Sequence, residues 1–217
     1  MRSLLRIKSR MARARSTRAE ANGQALVELA IILPLLMILL LGLLEFGLIF
    51  SHYQGLEYAT REGARTGSAL SNGAHGQAGS GGCASIDAQT VAAVQRVLVG
   101  KGSLIQLQYV TQIRIWKSDA AGNPVSGSIN VWTNTGLNSG PTVDGAKLSF
   151  TGPVTPPWAA CTRNATGSPF ANPPTIDVLG VDLTYNYHLA TPLGSLLKWA
   201  GANVLPMNDE TVMVLNP

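Results

Sequence analysis

The chain has 217 residues, enough for one modest domain with an accessory segment and too few for a multidomain enzyme. Hydrophobic residues make up 46% and charged residues 13%, the latter about half the share of roughly 25% usual in soluble domains, which excludes a disordered chain and points to membrane contact. The +4 net charge sits at one end: Arg2, Arg6, Lys8, Arg10, Arg13, Arg15 and Arg18, with the single acid Glu20, fall in residues 1–22, and beyond them nine bases face eleven acids. The basic character therefore describes a leader and not a nucleic-acid-binding surface, and the leader has no aromatic residue to stack on a base.

An apolar run follows directly. Leu29–Phe50 is broken only by Pro34, two glycines and Glu45, and at about 1.5 Å per residue it reaches roughly 33 Å, enough to cross a bilayer. A cleavable secretory signal has a shorter apolar core of about 7 to 15 residues. The cationic leader before the run, against Arg61 and Arg65 after it, predicts a single span with residues 1–23 cytoplasmic and the remainder outside. No second stretch is long and apolar enough to span, which excludes a polytopic transporter.

Gly23-Gln24-Ala25-Leu26-Val27-Glu28-Leu29 is the most informative stretch. A Gly ends the basic leader, and five residues on an acid stands inside the apolar helix. A carboxylate near the hydrocarbon costs about 2.5 to 3.5 kcal/mol even on a lenient scale, so a partner or a function is expected for Glu28. Pro34, inside the run, removes one helix hydrogen bond and predicts a kink. Glu45, near the outer end of the span, either reaches to the interface or pairs with a cation on another subunit. Glu57 and Arg61 form an (i, i+4) pair that carries the helix past the membrane, and Gly63 and Gly67 are expected to loosen or stop it.

On these residues, together with Ile31-Ile32-Leu33-Pro34-Leu35-Leu36, Glu45-Phe46-Gly47 and Ala59-Thr60-Arg61-Glu62-Gly63-Ala64-Arg65, residues 23–69 resemble the TadE-like family of tight-adherence pilus assembly proteins, and the N-terminus resembles type IV prepilins. The resemblance implies cleavage by a prepilin peptidase between Gly23 and Gln24, and assembly with other pilin-like subunits and the pilus machinery through a helix carrying Glu28, Pro34 and Glu45. It implies a bacterial cytoplasmic membrane location. Leu29 stands where members of the group often have Tyr or Phe, and Gln24 where major pilins usually begin with Phe, which argues against a typical major pilin.

Residues 71–86 read as a Gly/Ser-rich linker. Its Gly79-Ser80-Gly81-Gly82-Cys83-Ala84 matches a dinucleotide fingerprint only formally, because no strand precedes it. The outer domain, residues 87–217, predicts a helix over residues 87–100 with a possible cap at Ser85. One or two half-buried strands follow over residues 105–115, then a turn at Asp119–Pro124 and a weaker strand over 127–132. A long loop spans 133–175, a cleanly alternating strand 179–189, and a helix carries Leu193, Leu196, Leu197 and Ala200. A final strand lies over 211–215. With the leader at 1–23 and the helix at 24–70, this predicts an α+β, pilin-like architecture: a long transmembrane helix carrying a small antiparallel sheet.

Cys83 and Cys161 both fall on the outer side and fit a disulfide, with two buried thiols as the alternative; no C-x-x-C is present and His52, His75 and His188 are scattered, so no metal is expected. Asn164-Ala165-Thr166 is a formal glycosylation acceptor, weak in a bacterial chain. No G-x-S-x-G, Walker or H-E-x-x-H pattern occurs, and Cys161 with His188 is a poor candidate for a thiol dyad beside a cysteine pair. Neither enzyme activity, cofactor, small-molecule substrate nor nucleic acid is expected. Two readings remain: a pseudopilin-like pilus component, or a single-pass membrane-anchored extracytoplasmic binding module.

Overall fold

A computed structural model describes residues 2–71, 83–166, 176–198, 201 and 204–216, with the side chains of residues 2–22, 84, 193, 196 and 197 excepted. Most of the Gly/Ser-rich stretch, the greater part of the Gly79–Ala84 pattern, the end of the expected long loop and Ala200 lie outside the described residues.

One helix, α1 (Arg2–Ser71), runs through Pro34 without a break in its assignment. Its sequence has two characters. From Gly23 to Leu44 nearly every side chain is exposed. From Glu45 onward a stripe turns inward at helical spacing: Glu45, His52, Leu56, Ala59, Thr60, Gly63, Ala64, Gly67, Ser68 and Ser71 are buried. The second half of α1 is thus part of the outer domain's core.

Gly63 and Gly67 do not end the helix. They are places where α2 (Ile86–Leu98) and the sheet come too close for a side chain. A Cβ on Gly63 would lie 2.4 Å from Val94 Cγ2, and one on Gly67 would lie 2.9 Å from Thr90 Oγ1 and 3.2 Å from Leu179 Cδ2. Helix propensity argued for a break at these residues, and packing overrode it. α2 itself starts without a side-chain cap from Ser85, whose hydroxyl instead accepts from Gln89 Nε2.

Among the described residues seven strands follow: β1 (Val110–Ser118), β2 (Pro124–Asn134), β3 (Thr142–Val143), β4 (Ala146–Lys147), β5 (Phe150–Thr151), β6 (Val178–His188) and β7 (Val204–Val214), with α3 (Leu193–Lys198) between the last two. Five of them form an antiparallel sheet in the order β5-β2-β1-β6-β7, and β3 and β4 make a separate hairpin. The α+β architecture is as expected, with four local differences. Leu107–Tyr109 is a 3-10 turn and not strand. β2 is longer than its weak alternation suggested, the expected loop contains the β3–β4 hairpin and β5, and the final strand begins at Val204. The β1–β2 turn is held as its residues predict: Asp119 Oδ1 accepts from the amides of Ala121 and Asn123, and Gly122 takes φ +89°.

The period of two in β6 decides which face is covered. Leu179, Val181, Leu183, Tyr185 and Tyr187 are buried with Ile113 and Ile115 of β1 in a core shared with α1 and α2. The other face carries the Arg114–Asp182 ion pair at 2.8 Å and the Trp116 ring, which lies over Gly180.

The loop after β5 is fixed to the start of α2. Cys83 and Cys161 are joined in a disulfide, their Cα atoms 5.0 Å apart across 78 positions of sequence. Beside it the fully buried Arg163 donates to Asp87 at 2.6 Å and stacks on Trp158, 4.2 Å from the ring centroid. Asp87 also accepts from Asn130 Nδ2. Cys161 is thereby removed from any dyad with His188, which lies exposed against the Tyr109 ring.

Candidate processing and assembly segment

Gly23, Gln24, Glu28 and Pro34 lie on the exposed part of α1. Leu26, Val27, Leu29, Ile31, Ile32 and Leu33 are all exposed large hydrophobics. An apolar helix of this length with its whole circumference uncovered requires lipid or other helices around it. Among the described residues it is the one helix long and apolar enough to cross a membrane.

Glu28 is exposed, and its hydrogen bond within the chain comes from Gln24 Nε2 at 3.3 Å, one turn earlier. Among the described residues no cation pairs with it. The side chains that the motif aligns are therefore brought together only as neighbours on one helix: Gly23, Gln24 and Glu28 occupy little more than one turn, with no wall built around them.

Glu45 is different. It is 4% exposed, and neither reading from its place in the sequence, the reach to the interface or the pairing with another subunit, describes its surroundings. Its carboxylate accepts from the phenol of Tyr187 on β6 and from the backbone amides of Ala190 and Thr191, at 3.0 and 2.9 Å, in the turn between β6 and α3. Burial and the adjoining carboxylate push the Tyr187 phenol up from its ordinary value, which keeps it a donor. Glu45 is the first of several residues that fasten the sheet to α1.

Seven residues on, His52 repeats the device with a different chemistry. Its ring nitrogens lie 2.8 Å from the carbonyl of Leu48 and 3.1 Å from that of Leu104, and the ring packs on Tyr185 and Tyr187. About two turns further up, Thr60 donates to Asp209 of β7. Burial raises the Asp209 carboxyl above the ordinary range, opposed by that hydrogen bond. Alongside this stripe, Glu57–Arg61 and Glu62–Arg65 form ion pairs through exposed arginines and half-buried glutamates.

The sequence reading did not find the buried stripe of α1: it carried the helix past the membrane on the Glu57–Arg61 pair and expected Gly63 and Gly67 to loosen or stop it. The available signal was the repeat of small residues, Ala59, Gly63, Gly67 and Ser71, at intervals of four. Among the described residues no group of His, Cys, Asp and Glu could hold a metal ion.

Residues 23–65 match the family model described as TadE-like protein. The match covers the segment carrying Gly23, Glu28, Pro34 and Glu45 and bears out the resemblance read from those motifs. No curated protein and no solved structure matches the chain.

Proposed function

We propose that this chain is a pseudopilin-like structural or assembly component of a tight-adherence pilus or secretion system. A prepilin peptidase removes residues 1–23 on the cytoplasmic face, and the mature chain, starting at Gln24, assembles with other pilin-like subunits through α1. The domain from residue 87 onward stands outside the cytoplasmic membrane, in a compartment that permits the Cys83–Cys161 bridge.

The observation that carries this reading is Glu28: a carboxylate on a lipid-length apolar helix, exposed and without a cation of its own chain among the described residues. A simple tether has no use for such a group, so the anchored binding module accounts for the helix and leaves Glu28 unexplained. Cleavage after Gly23 creates a positive amine at nearly the same depth. In a bundle of these helices the Glu28 of one subunit neutralises the amine of its neighbour, and a misaligned pair leaves a buried charge that costs about 3 to 5 kcal/mol. Specificity of register, and not net stability, is the gain. The test is Glu28→Ala in cells lacking the wild-type copy, with processed protein, membrane level and surface pili measured separately. The reading predicts normal membrane level with pili reduced or lost; normal pili would defeat it.

A further inference from the structure

The contacts of Glu45 set the height of the outer domain above the bilayer. Exposure moves the lipid-facing stretch from the Leu29–Phe50 expected from the sequence to Gly23–Leu44, which at about 1.5 Å per residue is roughly 33 Å, close to the hydrocarbon thickness of about 30 Å. Glu45 begins the next turn and holds the amides of Ala190 and Thr191. The turn that starts α3 is therefore level with the end of the lipid-facing helix, and no stalk separates the sheet from the membrane.

Apolar side chains from separate parts of the chain collect at this level. Phe46 on α1 is 68% exposed, and Val204 and Leu205, which open β7 opposite His188 and Tyr187, are 39% and 43% exposed. α3 touches α1 here. The sequence supplies an independent sign: from Leu189 to Leu205 there is no acidic residue, and the one formal charge is the exposed Lys198. A solvated connection has no reason to avoid acids, whereas one lying against anionic or zwitterionic headgroups does.

We propose that α3 and the start of β7 form a second membrane contact, in which Val204 and Leu205, with Phe46, enter the outer headgroup region and Lys198 lies beside lipid phosphates. Together with the span, this contact fixes the tilt of the sheet on the membrane, and a subunit that leaves the bilayer for a filament has to release it. The proposal rests on the single-span reading of α1.

The test uses the full-length chain in phosphatidylcholine vesicles with and without bromine on the acyl chains, and two separate probes, Val204→Trp and Leu205→Trp, each read as the emission added over the parent chain. Val154→Trp, at a fully exposed position of the loop after β5, is the control. The contact predicts that brominated lipid quenches the added emission at 204 and 205 by about twofold and leaves that at 154 unchanged. Chains that fail to float with the vesicles would sink the single-span reading and this contact with it. Chains that float with both probes unquenched overturn the contact alone. Shielding of the probes from water only at high protein-to-lipid ratio, again without quenching, assigns the patch to a second copy and likewise overturns it.

Discussion

Glu28 and Glu45 stand on the same helix, yet one is exposed and the other is enclosed by three donors of its own chain. The difference gives Glu45 intramolecular work, and the intermolecular role proposed for Glu28 is compatible with its exposure. Glu45→Ala strands the Tyr187 hydroxyl and two amides, and the outer domain should lose about 2 to 4 kcal/mol of stability, with Glu45→Gln losing less because one acceptor remains. Thermal unfolding of the detergent-solubilised chain checks this, and an unchanged midpoint for Glu45→Ala would remove the latch. Asp209 gives a prediction of opposite sign. Burial raises its folded pKa despite the Thr60 hydrogen bond, so the ionised form is held at a cost above that pKa, and the cost disappears as pH falls through it. Asp209→Asn should therefore raise the unfolding midpoint at pH 7.5, with the advantage over wild type shrinking on acidification toward about pH 4.

At the scale of elements, the α1–α2 contact is set by absent side chains. Gly63→Ala places a methyl 2.4 Å from Val94 Cγ2 and should destabilise the outer domain by about 1 to 3 kcal/mol. Gly42→Ala, which meets nothing within 4 Å, should leave it unchanged, and equal midpoints for the two variants would contradict the packing account. Removing the Cys83–Cys161 bridge as Cys83→Ser with Cys161→Ser should cost about 2 to 4 kcal/mol while leaving membrane insertion intact. These elements also show where sequence is and is not informative. β6 was legible because its alternation is a local property of one face. The Asp119–Pro124 turn was legible because its side chains bond their own backbone. β5 and the β3–β4 hairpin were not, since strands of two residues carry no period. The inward stripe of α1 was missed for another reason: a face of Ala, Gly, Ser and Thr has little hydrophobic contrast, and what makes it a core is the second helix packed against it.

For the whole molecule, a single long apolar helix was readable from the sequence, because lipid imposes its length and composition on one segment. The fastening of the sheet to that span was not readable, because Tyr187, Ala190 and Thr191 meet Glu45 across more than 140 positions of sequence. The chain thus joins an exposed apolar helix to a sheet domain through the buried second half of α1, from Glu45 onward. In the proposed function the helix is released from a basic leader before it assembles. Terminal peptide mass analysis of the protein purified from cells with active prepilin peptidase tests this most directly. The account predicts a mature chain beginning at Gln24, and loss of that species in Gly23→Val; a chain still carrying residues 1–23 in such cells would contradict it.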